Sequence, residues 1–193
     1  MGKAVVITGT PGTGKSTVGR LLASRLGATL VELGELVARE GLHLGLDEET
    51  GSLIADLDAL SNRLAGMMAS ARQPLVVVGH YAQHVVPREA VLRAFVLRKN
   101  PYELMEVLRS RGYTGRKLYE NLQAEILDVC LWEAVQAYGP DLVYEIDTSG
   151  RTPGDVVEEA LRALEEGLSR VGIVDWLGML ERDGRLEDFF SQL

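Results

Sequence analysis

A short run near the N-terminus combines glycine, lysine and serine at the spacing of a phosphate-binding loop. Gly9, Gly14, Lys15 and Ser16 form the pattern Gly-x-x-x-x-Gly-Lys-Ser directly after the apolar residues 4–7. An apolar strand before the loop and a helix after it are the context that this motif requires. Glycines let backbone N–H groups approach an anion, and the following helix presents its positive N-terminal end. The spacing predicts a cradle for the phosphates of a nucleoside triphosphate.

The side chains of this loop have separable chemical roles. Lys15 is long enough to reach the β- and γ-phosphate oxygens, and the hydroxyl of Ser16 can ligate Mg²⁺. Gly12 and Gly14 keep side chains away from the anion. We therefore expect ATP and Mg²⁺ at Gly12, Gly14, Lys15 and Ser16, with Lys15 also stabilising charge on the transferring group.

Four arginines are candidates for further contacts to phosphate. Arg98 follows an apolar run at the carboxyl end of a predicted strand, where open α/β sheets bind ligands. Arg111 and Arg116 cluster on a glycine-containing segment, and Arg39 lies on a predicted small lobe. An acceptor needs cations of its own, so Arg39, Arg98 and Arg116 are candidate substrate-binding residues. For the clustered arginines, a solvated charged surface is the alternative.

His80 follows a third apolar run, at the end that should face the phosphates. Its side chain can orient an attacking water or bond a γ-phosphate oxygen, and the pKa of histidine suits either role. A purely structural hydrogen bond is the alternative. His80 and His84 have the spacing of a zinc pair, but no glutamate follows the first histidine and no third ligand is evident. Zinc is therefore disfavoured, and His80 is a candidate catalytic residue.

The pattern of apolar runs predicts the elements that hold these residues. Strands are expected at 3–8, 29–32, 75–79, 94–97 and 142–146. Helices are expected at 14–26, 37–40, 56–71 and 101–110, from about 117 to 138, and at 153–168. Right-handed crossovers between such strands predict a three-layer, doubly wound α/β fold with five parallel strands.

The chain length fits one main domain with small additions. We expect a domain over residues 1–169, with an irregular acidic stretch at 41–52 inside it. The apolar residues of the tail predict a helical extension over 170–193 that packs on this domain, an oligomer contact being the alternative.

Composition narrows the classes of partner. The chain has 193 residues, a net charge of −8 and 46% hydrophobic residues. The negative surface disfavours non-specific nucleic-acid binding, because it repels phosphate backbones. No apolar run approaches the roughly 20 residues of a membrane span, and the N-terminus lacks the layout of a leader peptide. A single cysteine excludes an internal disulfide. We expect a cytoplasmic protein without membrane contacts.

The phosphate loop alone does not identify the acceptor. The guanine-reading run Asn-Lys-x-Asp is absent from the sequence, which disfavours a GTPase, and the chain is too short for a large motor or transporter ATPase. A kinase for a small acceptor remains, in which catalysis consists mostly of positioning and charge neutralisation.

Several segments, taken together, resemble one family of small kinases. They are residues 7–17, 35–40, 95–98 and 111–113, followed by Lys117, Glu120, Asn121 and Glu125. In this order they are similar to the adenylate kinase isoenzyme six family, also called the coilin-interacting nuclear ATPase group, in its archaeal form. The resemblance covers about residues 3–168.

The resemblance implies a nucleoside monophosphate kinase fold with a monophosphate-binding lobe at about 34–57 and a short lid at about 110–120. It implies that Gly12, Gly14, Lys15, Ser16 and Thr17 bind ATP. It further implies that Arg111 contacts the ATP side and that Arg39 contacts the monophosphate. The implied activity is that of an adenylate kinase with additional ATPase activity.

The sequence departs from this family at one position. Relatives tend to carry an acidic Walker B residue at the end of the third strand, shortly before a histidine, where this chain has Val78. Mg²⁺ can still be held by Ser16, phosphate oxygens and waters. Glu32, at the end of the second strand, is a possible substitute that acts through other ligands.

Two further functions remain open. The resemblance implies a role in late maturation of the small ribosomal subunit (16S rRNA) and transient contact with a basic ribosomal protein of the uS11 type. The chain is then an ATP-driven assembly switch with incidental kinase activity, and the acidic stretch around residues 47–49 suits a basic client. A kinase for another small acceptor, such as shikimate or gluconate, is the remaining alternative.

Overall fold

The computed structural model describes residues 3–47 and 51–190. The acidic residues Glu48 and Glu49, expected to suit a basic client, lie outside the described residues. Strands are β1 (Ala4–Thr8), β2 (Thr29–Glu32), β3 (His43–Leu46), β4 (Leu53–Ala55), β5 (Leu75–Val78), β6 (Val91–Arg98) and β7 (Val143–Asp147). Helices are α1 (Lys15–Leu26), α2 (Leu33–Glu40), α3 (Leu57–Ser70), α4 (Pro101–Ser110), α5 (Gly115–Ile126), α6 (Val129–Tyr138), α7 (Pro153–Glu165), α8 (Trp176–Arg182) and α9 (Leu186–Phe190).

Five parallel strands form the central sheet in the described part of the chain, in the order β2-β5-β1-β6-β7. β1 lies in the middle and pairs with β5 on one side and β6 on the other. Its residues are all buried because helices cover both faces of the sheet, which explains the unbroken apolar runs of the sequence. The predicted three-layer, doubly wound α/β fold with a five-stranded sheet is confirmed.

The two faces of the sheet have separate cores. On one face α1 and α7 pack on alternate strand residues such as Val5, Ile7 and Val78. On the other face α2, α3 and α6 pack on residues such as Val6 and Val77. This alternation follows from the two-residue period of a strand. The position of a residue along its strand therefore determines which layer of helices its side chain faces.

Local signals set the ends of several helices. Asn100 caps α4 by accepting a hydrogen bond from the N–H of Tyr102 at 2.9 Å, with Pro101 at the first helical position. Thr152 and Asp155 form a capping box at the start of α7. These caps fix the loops after β6 and β7 at the carboxyl edge of the sheet.

The region between β2 and α3 is more regular than predicted. α2 begins at Leu33 and not at 37. The stretch 41–52, expected to be irregular, contains β3, which pairs with β4 directly after that stretch in an antiparallel β3–β4 hairpin. Leu44 and Leu46 alternate with His43 and Gly45 along β3, as in a half-buried strand, but both leucines are exposed. The hairpin projects beyond the sheet at its carboxyl edge.

The helix predicted from about 117 to 138 is two helices, α5 and α6. Asp128 separates them with φ of 58°, a left-handed conformation that asparagine and aspartate tolerate better than most residues. Its carboxylate forms an ion pair with Arg98. The prediction of one continuous helix was wrong because this tertiary contact overrides the helical pattern.

The C-terminal helices α8 and α9 lie against α4 and α5. Trp176, Leu180 and Phe189 are buried there with Leu104 and Leu122. The indole N–H of Trp176 donates to Glu125 at 3.2 Å, and the amide of Gln123 donates to the carbonyl of Phe189 at 2.8 Å.

Within residues 3–47 and 51–190, no helix combines the length and apolar character needed to cross a bilayer.

Candidate active site

The loop between β1 and α1 is shaped by two glycines that no other residue can replace without strain. Gly9 has φ of 135°, and a Cβ there would lie 2.4 Å from the carbonyl oxygen of Leu97. Gly12 has φ of 97°, and a Cβ would lie 2.7 Å from Cδ1 of Leu104. The loop is therefore pressed against β6 and α4, and its backbone lines a cavity at the N-terminus of α1.

Threonine side chains brace this loop from below. Thr10 Oγ1 donates to Glu125 at 2.7 Å, and Thr13 Oγ1 donates to the carbonyl of Thr10 at 2.9 Å. Thr148, after β7, donates to the carbonyl of Thr13 at 3.2 Å. Because all these groups are buried, the loop is held in shape before any ligand arrives.

Lys15 lies across the mouth of the loop. Its Nζ donates to the carbonyl oxygens of Gly9 and Thr10 at 2.7 and 2.9 Å. The pKa of Lys15 is lowered to about 8, chiefly by desolvation and also by the charge of Arg111, against the opposing effects of Cys130 and Glu125. An anion in the loop would restore the usual pKa, so the site favours a negatively charged ligand.

A cavity of about 100 Å³ lies over the loop at the N-terminus of α1. Its walls include the predicted phosphate ligands and the predicted lid arginine: Pro11, Gly12, Gly14, Lys15, Ser16, Thr17 and Arg111. Arg111 closes α4 at the turn before α5, and its side chain is exposed. The structure thus brings Arg111 to the loop residues, although about 95 positions separate them in the chain.

Ser16 is exposed at the edge of this cavity and bonds a carboxylate. Its hydroxyl donates to Glu32 Oε2 at 2.5 Å. The other oxygen of Glu32 accepts from Arg20 at 3.1 Å. A hydroxyl and a carboxylate are the hard oxygen donors that Mg²⁺ prefers, so this pair fits the cation that accompanies a nucleoside triphosphate.

A second and larger cavity, of about 400 Å³, adjoins the first. It lies between the β3–β4 hairpin and α5, with the residues that follow β5 at its base. Its lining residues are Pro11, Ser52, Leu53, Ala55, Leu57, His80, Tyr81, Tyr113, Lys117 and Asn121. Lys117 Nζ donates to Ser52 Oγ at 2.9 Å and lies 5.3 Å from the ring centroid of Tyr113. The hairpin and α5 therefore meet across this cavity.

His80 lies in the wall of the larger cavity and is exposed to it. Desolvation lowers the pKa of His80 to about 4, and the charges of Lys15 and His84 contribute in the same direction. Its ring makes an edge contact with Tyr81 at 4.5 Å between centroids. At neutral pH the imidazole is uncharged, so it can accept or donate a hydrogen bond but adds no cation.

The expectation that Arg98 binds substrate is corrected by the structure. Its side chain is 2% exposed and forms ion pairs with Glu125 at 2.8 Å and Glu145 at 2.6 Å, and with Asp128. Burial opposes the charge of Arg98, but the three carboxylates outweigh this and raise its pKa above the usual value. The guanidinium is fully engaged beneath the loop and reaches neither cavity.

The two remaining candidates lie outside the lining of the larger cavity. Arg39, two-thirds exposed, pairs with Glu40 at 3.5 Å and lines a cavity of about 80 Å³ beside α2. Arg116 pairs with Glu120 one turn further along α5, at 2.6 Å. Arg116 was expected to face the substrate. The residue that lines the larger cavity is instead its neighbour Lys117.

A third cavity, of about 130 Å³, lies on the opposite side of the loop from the larger one. It is walled by α1 and by the loops after β6 and β7, through Thr17, Lys99, Thr148 and Arg151 among others. The sequence analysis did not find this cavity, because its walls come from three distant loops. Their common position at the carboxyl edge of the sheet is the signal that identifies it.

Comparison with known proteins gives a consistent family relationship. A protein-family model described as "AAA domain" matches residues 5–128. A protein of Methanocaldococcus jannaschii named "Putative adenylate kinase" is 36% identical over 172 residues, which cover 89% of this chain and 92% of the relative. One of Natronomonas pharaonis with the same name is 42% identical over 174 residues, covering 89% and 96%.

Solved structures share the fold. A shikimate kinase from Acinetobacter baumannii in complex with shikimate has a TM-score of 0.62 at 17% identity, covering 86% of this chain and 94% of the other. A thymidylate kinase from Candida albicans has a TM-score of 0.55 at 16% identity, covering 86% and 92%. At these identities the likeness concerns the fold alone.

Proposed function

We propose an activity for this chain on the premise that it belongs to the family of archaeal proteins named "Putative adenylate kinase" and is therefore a P-loop kinase. The activity is transfer of the terminal phosphoryl group of ATP to AMP, which yields two ADP. A slower hydrolysis of ATP, in which water replaces AMP, accompanies it.

The observation that supports this proposal most is the arrangement of the cavities. The loop cavity and the 400 Å³ cavity share Pro11 as a wall, and Arg111 and His80 lie on either side. Phosphoryl transfer needs donor and acceptor oxygens roughly in line across the γ-phosphate. Two adjoining cavities that meet at a phosphate loop support the binding of a donor and an acceptor on either side of the transferred group.

On the donor side, the loop amides and Lys15 hold the triphosphate. Thr17 lines both the loop cavity and the 130 Å³ cavity. We assign the adenosine of ATP to that cavity. When bound, Mg²⁺ neutralises phosphate charge, and Ser16 is the side chain placed to ligate it. Arg111 supplies positive charge opposite Lys15, where charge develops on the transferring group.

On the acceptor side, the larger cavity suits a nucleoside monophosphate. Its volume of about 400 Å³ is within the range of roughly 300–1,000 Å³ that ligand sites occupy. Tyr81 and Tyr113 offer aromatic faces to a base, Asn121 offers both a donor and an acceptor, and Lys117 offers a cation to the phosphate. We propose that AMP binds there.

The direct test follows ADP formation by the purified protein with Mg²⁺ and ATP, without and with AMP. We expect AMP to accelerate ADP formation well above hydrolysis of ATP alone. A parallel series with CMP, shikimate and gluconate identifies the acceptor class. If AMP gives no acceleration while another acceptor does, the assignment to AMP is wrong.

Lys15→Ala tests whether phosphoryl transfer to AMP and hydrolysis of ATP use the same site. We expect the variant to lose both the AMP-dependent and the AMP-independent formation of ADP, because both reactions use the same triphosphate cradle. Its thermal unfolding should remain cooperative. Survival of either activity would show that the two reactions do not share the loop.

A second candidate function is an ATP-driven switch in maturation of the small ribosomal subunit, acting in the cytoplasm on a basic protein of the uS11 type. Its support is the resemblance to the coilin-interacting ATPase group and the net charge of −8, which is complementary to a basic client. A pull-down of the ribosomal protein without nucleotide and with ATP tests it. Retention that does not change with ATP would contradict the switch.

A further inference from the structure

The strand that should carry a magnesium-binding carboxylate lacks one. In P-loop enzymes an acidic residue acts with the loop serine or threonine to hold Mg²⁺. Here β5, which pairs with β1 beside the loop, ends in Val78. Val78 is 3% exposed and packs among apolar residues, so it offers no oxygen. The inference below rests on the proposed ATP-dependent activity and concerns how its metal is held.

Glu32 occupies the corresponding place on the neighbouring strand. β2 pairs with β5 in parallel, and in that register Glu32 lies opposite Val78. Register partners in a sheet direct their side chains to the same face. Val78 faces α1, where its Cγ2 would lie 2.4 Å from a Cβ on Gly19. Glu32 faces α1 as well, and reaches Ser16 one turn closer to the loop.

The contacts of Glu32 place its carboxylate at the metal-binding hydroxyl. Oε2 accepts from Ser16 Oγ at 2.5 Å, and the side chain is 14% exposed. Oε1 accepts from Arg20 at 3.1 Å on the solvent side. One carboxylate oxygen therefore stays directed at the position where Ser16 would ligate the cation.

The other carboxylate in contact with the loop is already committed. Glu125 is 1% exposed beneath the loop, where Oε2 accepts from Thr10 and Oε1 accepts from Arg98 and from the N–H of Lys99. It lies below the backbone that separates it from the cavity. Of these two carboxylates, only Glu32 bonds Ser16.

We propose that Glu32 replaces the missing strand-end carboxylate and orients the water shell of the Mg²⁺ that Ser16 ligates. The carboxylate expected at the end of β5 is thus supplied from the end of β2, the next strand outward in the sheet. Mg²⁺ retains several waters in nucleotide sites, so a carboxylate that bonds those waters is sufficient.

The test measures how much Mg²⁺ improves the binding of a non-hydrolysable ATP analogue, by titration calorimetry with MgCl₂ and with EDTA. We expect Glu32→Gln to reduce the Mg²⁺-dependent gain in affinity by roughly tenfold or more. Affinity in EDTA should be unchanged or higher, because a negative charge beside the phosphates is removed. An unchanged Mg²⁺-dependent gain in Glu32→Gln would overturn the proposal.

Two controls separate this effect from loss of an ion pair. Glu158→Gln also removes a carboxylate paired with an arginine of α1, since Glu158 accepts from Arg25 at 2.5 Å far from the loop. Arg20→Gln removes the partner of Glu32 but keeps the carboxylate. Both should retain the Mg²⁺-dependent gain; loss of that gain in Glu158→Gln would show a non-specific electrostatic effect and contradict the assignment.

A double variant provides the strongest check. Glu32→Gln combined with Val78→Asp returns a carboxylate to the neighbouring strand end on the same face of the sheet. We expect it to recover at least part of the Mg²⁺-dependent gain. Mn²⁺ bound with the analogue, followed by electron paramagnetic resonance, reports the same change in ligand environment if the double variant proves too unstable for calorimetry.

These measurements are independent of the acceptor. If Mg²⁺-dependent binding is lost in Glu32→Gln but AMP does not accelerate ADP formation in the wild type, the metal assignment stands and the kinase proposal fails. If AMP accelerates the reaction but Glu32→Gln does not change the metal dependence, the kinase proposal stands and the metal assignment fails.

Discussion

Charged side chains contact the two sides of the same loop in very different ways. Below the loop, the buried arginine cluster joins Arg98 to Glu125, Asp128 and Glu145. Above it, the phosphate-facing group consists of Lys15, Ser16, Glu32 and Arg111, which line or border the loop cavity. Arg98, Glu125 and Glu145 of the lower cluster are buried, whereas the upper group lines or borders a cavity that a ligand can enter.

The difference lies in how each charge is satisfied. Arg98 has a carboxylate partner for each of its nitrogens, so it has no capacity left for a phosphate. Lys15 donates to two backbone carbonyls and has a lowered pKa, which an anion would restore. We infer that the lower cluster sets the shape of the loop and that the upper group performs its chemistry.

The largest expected effect is on the free energy of unfolding, when the buried arginine is removed in the variant Arg98→Met. The substitution leaves the buried carboxylates of Glu125 and Glu145 without their cation, which costs about 3–5 kcal/mol. For a chain of this size, we expect thermal unfolding to shift down by roughly 10 °C.

Arg25→Met is the matched control for that measurement. Arg25 pairs with Glu158 on the surface, with both side chains more than half exposed. Such pairs contribute about 1 kcal/mol or less. If Arg98→Met unfolded at the same temperature as Arg25→Met, the cluster would not be the structural support that we infer.

Sequence reasoning was successful where the signal is local. The phosphate loop is encoded in consecutive residues, and the strands β2 and β5 and the helix α4 have the predicted bounds to within one residue. The fold class follows from the alternation of apolar runs. None of these inferences needs a contact between distant parts of the chain.

The role of Arg98 was missed because its partners come from three other elements. Glu125 lies on α5, Asp128 follows it, and Glu145 lies within β7. One signal was available: Glu145 interrupts an apolar strand, and a charge inside a buried strand needs a partner. An arginine at the end of the adjacent β6 is the natural partner, with Arg98 opposite Asp147 in the register of the two strands.

The second-largest expected effect is on the rate of phosphoryl transfer, in the variant Arg111→Ala. Removing a cation that faces the transferring group should lower the rate of AMP-dependent ADP formation by roughly 10²-fold. Arg111 is exposed, so we expect the unfolding temperature to stay close to that of the wild type. Arg109→Ala is the control: it removes an exposed arginine from the same end of α4 that is outside the lining of the loop cavity. Equal losses in the two variants would remove the special role of Arg111.

A smaller effect concerns protons taken up when the triphosphate binds. The pKa of Lys15 is lowered to about 8, and a bound polyphosphate should raise it again. Binding at pH 8 should therefore take up about half a proton, and affinity should fall as the pH rises above 8. Calorimetry in two buffers with different ionisation enthalpies measures the uptake. In Lys15→Ala any residual binding should show no such uptake; equal uptake in the variant would assign the proton to another group.

The smallest expected effect is acid sensitivity from His80. Its pKa is about 4 in the folded protein against 6.5 in an unfolded chain, so between these values the unfolded state binds more protons. Stability contributed by neutral His80 is therefore present above pH 6.5 and is lost as the pH falls towards 4. His80→Gln should unfold at a temperature that depends less on pH over this range, while its difference from the wild type remains constant above pH 7. A wild-type unfolding temperature with the same pH dependence as the variant would mean that His80 titrates normally, and would contradict the lowered pKa.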